Sequence, residues 1–133
     1  MAANAVKAVQ FEFTFPDRAG LLAEVSAALS AAKVSILSIC AYAMQGTAQF
    51  MLTVDSPAKA RKALGGLGVA VKETPVLAVT MGNKPGELGK VAQKLSDAGV
   101  SIQELYGSTS TGTKACCIFK LADVSKAARL IAK

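Results

Sequence analysis

Apolar and polar positions alternate between residues 11 and 15, where Phe11, Phe13 and Phe15 are separated by Glu12 and Thr14. A period of two predicts a strand with one apolar face. The period then changes. Leu22, Val25 and Leu29 recur at three- and four-residue spacing, the mark of an amphipathic helix with those residues on its core face. Residues 34–44 and the run "TAQFMLTV" read as two further strands, joined by a turn at Gln45–Gly46. Asp55, Ser56 and Pro57 open a short second helix, since a capping side chain and an early proline suit a helix start. Gly65 and Gly66 end it, and "VAVKE" supplies a closing strand.

The same series occurs twice. "TFPDRAGLLAEVSAALSAAKVSI" (residues 14–36) aligns without gaps on "TMGNKPGELGKVAQKLSDAGVSI" (residues 80–102) at the offset of 66 that separates Gly20 from Gly86. Thr14 falls on Thr80, Val25 on Val91, and Val34-Ser35-Ile36 on Val100-Ser101-Ile102. At the same offset Gly46-Thr47 falls on Gly112-Thr113, and a turn at Thr111–Gly112 leads into "TKACCIFKL". Leu77, Val79 and Met81 repeat the strand of Phe11, Phe13 and Phe15; Leu88, Val91 and Leu95 repeat the helix stripe. The chain is a tandem duplication, which bears on every motif within it. Each copy reads strand-helix-strand-strand-helix-strand, an α+β ferredoxin-like unit with an antiparallel sheet and both helices on one face. The copies divide at residues 1–73 and 74–133, and the second ends without a closing strand. Either the segment before Val9 or a partner chain fills that edge, or the edge is bare and prone to pairing.

Composition narrows the function. The 133 residues are 52% hydrophobic with a mean hydropathy of +0.40, enough for a substantial core. No apolar run approaches the ~20 residues that span a bilayer, and the N-terminus lacks the pattern of a signal peptide. A cytoplasmic protein is expected. Three cysteines (Cys40, Cys116, Cys117) in no framework spacing suit a reducing compartment. There is no histidine, which removes Ser-His and Cys-His catalysis and the commonest metal ligand. No enzyme activity, metal or cofactor is expected. Lys and Arg exceed Asp and Glu by 15 to 9, but they are scattered rather than gathered as a nucleic-acid footprint would be. RNA-recognition folds share this strand-helix order, yet the stacking positions would be Leu77, Val79 and Met81 in the second copy, which cannot stack bases. Nucleic-acid binding is therefore not expected.

The turn "GNKPGELGK" (residues 82–90) opens the second copy's helix. It lacks the spacing of a phosphate loop: Gly86 and Gly89 are too close, and Lys90 is followed by Val91. Glu87 and Glu104 have no activating partner for two-carboxylate chemistry. A glycine at a helix start does admit a ligand close to the backbone, and the first-turn N–H groups favour a carboxylate. A small zwitterion such as an amino acid fits that chemistry; a plain structural turn is the competing reading.

The segments "DRAGLLAEVSAALSAAKVSI" and "NKPGELGKVAQKLSDAGVSI" resemble the first strand, glycine turn and first helix of ACT domains, amino-acid-sensing regulatory modules. The resemblance covers nearly the whole chain, twice. It implies two ACT units side by side, paired through the edge strands at residues 34–44 and 100–108, with effector sites at that interface. One site would set Asn83, Lys84, Pro85, Gly86, Glu87 and Leu88 against Ser35 and Ile36. The other would set Asp17, Arg18, Ala19, Gly20, Leu21 and Leu22 against Ser101 and Ile102. Backbone N–H groups near the glycine would take the ligand carboxylate, and Asn83 or Asp17 its ammonium. Ser35 and Ser101 stand where many amino-acid-binding members carry asparagine. The resemblance thus implies a non-enzymatic, allosteric regulator that binds an amino acid and acts on a metabolic enzyme or on its own assembly. The missing last strand of the second copy adds the expectation of a homodimer. A structural docking module without ligand is the alternative. The copy carrying Asn83 is the favoured site, because Asp17 would repel a carboxylate.

Overall fold

The computed structural model describes residues 3–109 and 112–132. The elements follow in the order β1 (Asn4–Pro16), α1 (Leu21–Ala31), β2 (Ile36–Met44), β3 (Thr47–Val54), α2 (Pro57–Gly65), β4 (Lys72–Gly82), α3 (Glu87–Asp97), β5 (Ile102–Ser108), β6 (Lys114–Leu121) and α4 (Val124–Ile131). They form two units, one from Val9 to Thr74 and one made of the described residues from Pro75 onward together with residues 3–8. Each has the α+β ferredoxin-like arrangement.

In the first unit, β3 lies between β2 and β1, antiparallel to both. Phe11, Phe13 and Phe15 stand opposite Leu52, Phe50 and Ala48, so the alternation puts all six on one sheet face. Both helices cover that face. Leu21, Val25 and Leu29 of α1, with Ala60 and Leu64 of α2, complete the core. In the second unit Leu77, Val79 and Met81 meet β6, and Val91, Leu95, Val124, Ala127 and Ile131 descend on them from α3 and α4. The β2–β3 hairpin turns at Gln45 (φ 51°) and Gly46 (φ 80°), two left-handed residues as tight antiparallel turns require. The turn residue Thr111, expected from the sequence in the second hairpin, lies outside the described residues.

The sequence differs from the structure in four places. First, of "VAVKE" only Lys72 and Glu73 are in a strand, and they begin the same continuous β4 that carries Leu77, with no turn between; Val69 to Val71 precede it. β1 likewise begins at Asn4, ahead of its alternating core. Second, residues before Val9 group with the second unit, and Ala3 and Ala5 pack on its core. The segment leading the chain thus supplies the edge that the second copy lacks. Third, Leu22 and Leu88 are not core residues; they are 56% and 43% exposed. Leu21 takes the core position instead, completing an i, i+4, i+8 row with Val25 and Leu29. Fourth, the offset of 66 does not persist past the hairpins. Phe50 and Cys117 hold the same place, opposite Phe13 and Val79 respectively, so the offset there is 67 and the second hairpin is one residue longer.

A test of the shared strand follows from Ala5. An aspartate there sets a charge against the second unit's apolar core, and Ala5→Asp is expected to lower stability by about 1–3 kcal/mol. Chemical denaturation reads it, and unchanged stability would mean that residues 3–8 do not close that sheet.

Candidate functional site

Each unit has a cavity where its glycine turn meets the C-terminal half of its own edge strand. The turns are built alike. Gly20 (φ 91°) and Gly86 (φ 87°) are the N-caps of α1 and α3, both left-handed, and neither helix has a side-chain cap. A helix start leaves its first N–H groups without an intrahelical acceptor. Glycine is there for its backbone angle alone, because a Cβ at either position would meet nothing within 4 Å.

Each turn is tied to the hairpin beside it. The Asp17 N–H donates to Gly46 O at 2.9 Å, and the Asn83 N–H to Thr113 O at 2.9 Å. The Asn83 side chain adds a second tie, donating from Nδ2 to Gly112 O at 3.0 Å. That orientation leaves its amide carbonyl as an acceptor. The repeat alone could not show this tether, because it spans 29 residues.

The second unit's cavity is about 450 Å³, within the range of ~300–1,000 Å³ common for small-ligand pockets. Asn83, Lys84, Glu87 and Leu88 line it from the turn, with Leu105 to Thr109 of the edge strand opposite and Met81, Ala115 and Cys117 beneath. The first unit's is smaller, about 290 Å³, lined by Asp17, Arg18, Gly20, Leu21 and Leu22 with Ala41–Ala43, Ala48 and Phe50.

The charges differ as well. Glu87 occupies the place that buried Leu21 holds in the first unit. Its carboxylate pairs with Lys90 at 3.1 Å. The Lys90 hydrogen bond holds the Glu87 carboxyl below the usual carboxylate range, against a small opposing effect of burial, and Lys84 adds to the lowering. The second mouth therefore carries an anion at Glu87 and a cation at Lys84. In the first unit Arg18 is already engaged by Glu24 through two hydrogen bonds.

Of the residues expected at the sites, the turns assemble as units: Asn83, Lys84, Glu87 and Leu88 about Gly86, with Pro85 and Ala19 exposed on their turns. Ser35, Ile36, Ser101 and Ile102 lie at the N-terminal starts of β2 and β5, the opposite ends from those units' own cavities. Ser35 is anchored there, its N–H donating to Asp55 Oδ1 at 2.9 Å and its carbonyl accepting from the Asp55 N–H at 3.1 Å. Sequence reasoning missed Tyr106, Gly107, Ser108, Thr109, Ala115 and Cys117 as cavity residues. The hairpin register that sets them under the turn crosses an inserted residue, and a fixed offset conceals it. Among the described residues no group of three or more His, Cys, Asp or Glu could hold a metal ion, and no helix is long and apolar enough to cross a membrane.

Three carboxylates are held below their ordinary range by hydrogen-bonded cations: Glu24 by Arg18, Glu73 by Arg61, and Glu87 by Lys90. A depressed folded-state pKa contributes stability above the unfolded value of about 4.3, and the contribution is lost as pH falls through the depressed value. Thermal stability is expected to decline below about pH 4.3, and to decline less steeply in the Glu24→Gln, Glu73→Gln, Glu87→Gln triple variant. An identical acid limb in the variant would place the sensitivity in other groups.

A family model described as "ACT domain pair" matches residues 6–133. Among solved structures, the chain is similar to protein BT0572 from Bacteroides thetaiotaomicron at 28% identity, covering 96% of this chain and 88% of that one, with a TM-score of 0.86. The regulatory subunit of aspartate kinase from Thermus thermophilus shares the fold at 18% identity (98% and 95% covered, TM-score 0.72). That from Thermus flavus does so at 21% (98% and 95%, TM-score 0.72). No curated protein sequence matches the chain. With every residue from Val6 onward inside the family model, the chain belongs to the ACT domain pair family.

Proposed function

We propose that the protein is a non-enzymatic regulator that binds a free amino acid in the cavity of its second unit. The observation that carries the reading is the chemistry of that cavity's mouth. An uncapped left-handed turn presents first-turn N–H groups and Lys84 to a carboxylate, and the carboxylate of Glu87 and the Asn83 carbonyl oxygen to an ammonium. A zwitterion needs both signs a few ångströms apart. Two structural neighbours are, by name, regulatory subunits of aspartate kinase, which accords with a regulatory role and leaves the partner enzyme of this chain to experiment.

The cavity opens toward the edge strand, and that edge is apolar. Leu37, Ile39 and Met44 on β2, and Ile102 and Leu105 on β5, are all more than a third exposed. Exposed apolar edges favour pairing with another chain. In our reading a second copy of the chain pairs edge to edge, antiparallel, which brings the start of a β2 strand, with Ser35 and Ile36, over the mouth at Asn83–Leu88. The protein is then a homodimer, and ligand that touches both chains favours the paired state through its higher affinity there. The first unit's turn, with Arg18 taken by Glu24 and Ser101–Ile102 as its expected counterpart, has the simpler role of supporting the pairing.

Thermal unfolding against each common amino acid tests the reading. A ligand at 100 times its Kd adds about 2.7 kcal/mol, a rise of several degrees for a chain of this size. Failure of every amino acid to shift the midpoint would leave a ligand-free docking module. Gly86→Ala forces an L residue to a left-handed angle at about 1–2 kcal/mol. It is expected to lower the midpoint and abolish the ligand-dependent rise, and Asn83→Ala to weaken the rise without that backbone cost. Gly20→Ala should carry the same backbone cost and keep the rise; loss of it there too would move binding to the first unit or to both.

A further inference from the structure

The two cavities are walled by the same elements but have different floors. In the first unit Phe50 stands in register opposite Ala41 on one side and Phe13 on the other. Its ring stacks on Phe13 at 5.3 Å between centroids, and Phe15 closes edge-on at 6.1 Å. Phe50 lines the cavity, and Phe13 and Phe15 pack behind it. In the second unit the matching positions are Cys117 for Phe50, Gly107 for Ala41, Val79 for Phe13 and Met81 for Phe15. Every exchange is to a smaller or narrower side chain, and the cavity grows from about 290 to about 450 Å³.

Gly107 is held to glycine by contact rather than by its turn angle. A Cβ there would lie 2.4 Å from Cys117 Sγ and 3.0 Å from Cys116 O. The thiol therefore occupies space that any side chain at residue 107 would claim, and the two residues shape the floor together. The floor is also uncharged. Met81 and Cys117 are buried, Ala115 lies beside them, and burial pushes the Cys117 thiol up, so that it is neutral at ordinary pH. The charged groups, Lys84 and Glu87, are at the mouth.

We infer that Gly107 and Cys117 set the specificity of the second unit, whose floor accepts a mid-sized uncharged aliphatic or thioether side chain and rejects a charged one. The inference rests on the amino-acid reading above and deepens it. A ligand whose ammonium and carboxylate are held at the turn directs its side chain into this space. Against the floor of Met81, Ala115 and Cys117 a carboxylate or ammonium would lose hydration with no charged group to replace it, Ser108 and Thr109 lying on the strand wall, whereas an aliphatic or thioether chain packs on sulfur and methyl groups.

Calorimetric titration of the purified protein with leucine, methionine, valine, glycine, lysine and aspartate tests this. Leucine or methionine is expected to bind at least about tenfold more tightly than glycine, lysine or aspartate. Cys117→Phe rebuilds the first unit's floor, and should weaken leucine and methionine by at least about tenfold while leaving glycine within about twofold. Cys117→Ala enlarges the floor without crowding it, and should shift preference toward phenylalanine; it decides the matter if the Phe variant does not fold. Tightest binding by lysine or aspartate, or a ranking untouched by Cys117→Ala, overturns the inference while amino-acid sensing stands. Absence of binding by every amino acid overturns both.

Discussion

A strand that must reverse into a helix lying across its own sheet has few ways to do so in four residues. Here the reversal is made by one left-handed residue. Gly20 and Gly86 adopt φ of 91° and 87°, a region where an L side chain is strained. Several features follow from that single angle. The helix begins with no side-chain cap, so its first-turn N–H groups have no side-chain acceptor, and in α3 the Glu87 N–H turns back to Lys84 O at 3.3 Å. The residues before the glycine are held against the neighbouring hairpin, through Asp17 to Gly46 and Asn83 to Thr113. The helix then descends over the strand it has just left, with Val25 and Leu29, or Val91 and Leu95, pressed into the core. The same angle that makes the fold possible thus leaves polar backbone exposed beside a cavity.

Much of this was legible in the sequence because duplication acts as a control. A glycine seen once before a helix is a turn; seen twice, 66 residues apart, between the same strand and the same helix, it marks a shared backbone requirement. Strand alternation at Phe11–Phe15 and the helix rows were equally plain, since both depend on local periodicity. What escaped was non-local. Leu22 and Leu88 have an apparent core spacing, yet the buried row runs i, i+4, i+8 through Leu21, Val25 and Leu29, and Leu22 lies one residue round the helix from it. The leading residues carry no periodicity of their own, and only the second unit's open edge gives them a place. The cavity floor was hidden by one extra residue in the second hairpin, which shifts Cys117 rather than Cys116 into the place of Phe50.

That shift matters because it separates what the two copies share from what divides them. The shared features are backbone features: the left-handed turn, the tether to the hairpin, and a register irregularity at the start of each edge strand, between Ile36 and Ser38 and between Ile102 and Glu104. These are requirements of the fold, and they say nothing about which unit binds. The divided features are side chains around one cavity. Leu21 gives way to Glu87, Ala41 to Gly107, and Phe50 to Cys117.

A core under selection only for stability has no reason to exchange a stacked phenylalanine for a cysteine, since each lost contact and each void weakens packing. Nor does it favour a carboxylate where a buried leucine serves. Both exchanges occur within one unit and around one space, with the charge at the mouth and the lost volume at the floor. Elsewhere the cores also differ, Phe11 and Leu52 against Leu77 and Phe119, but there one ring and one leucine stand on each side. Around the cavity the difference is one of volume. The first unit, with Phe50 stacked on Phe13 and Phe15 edge-on to both, and with Arg18 committed to Glu24, has the denser packing there. Two copies of one repeat thus differ in what fills the space beneath the same turn.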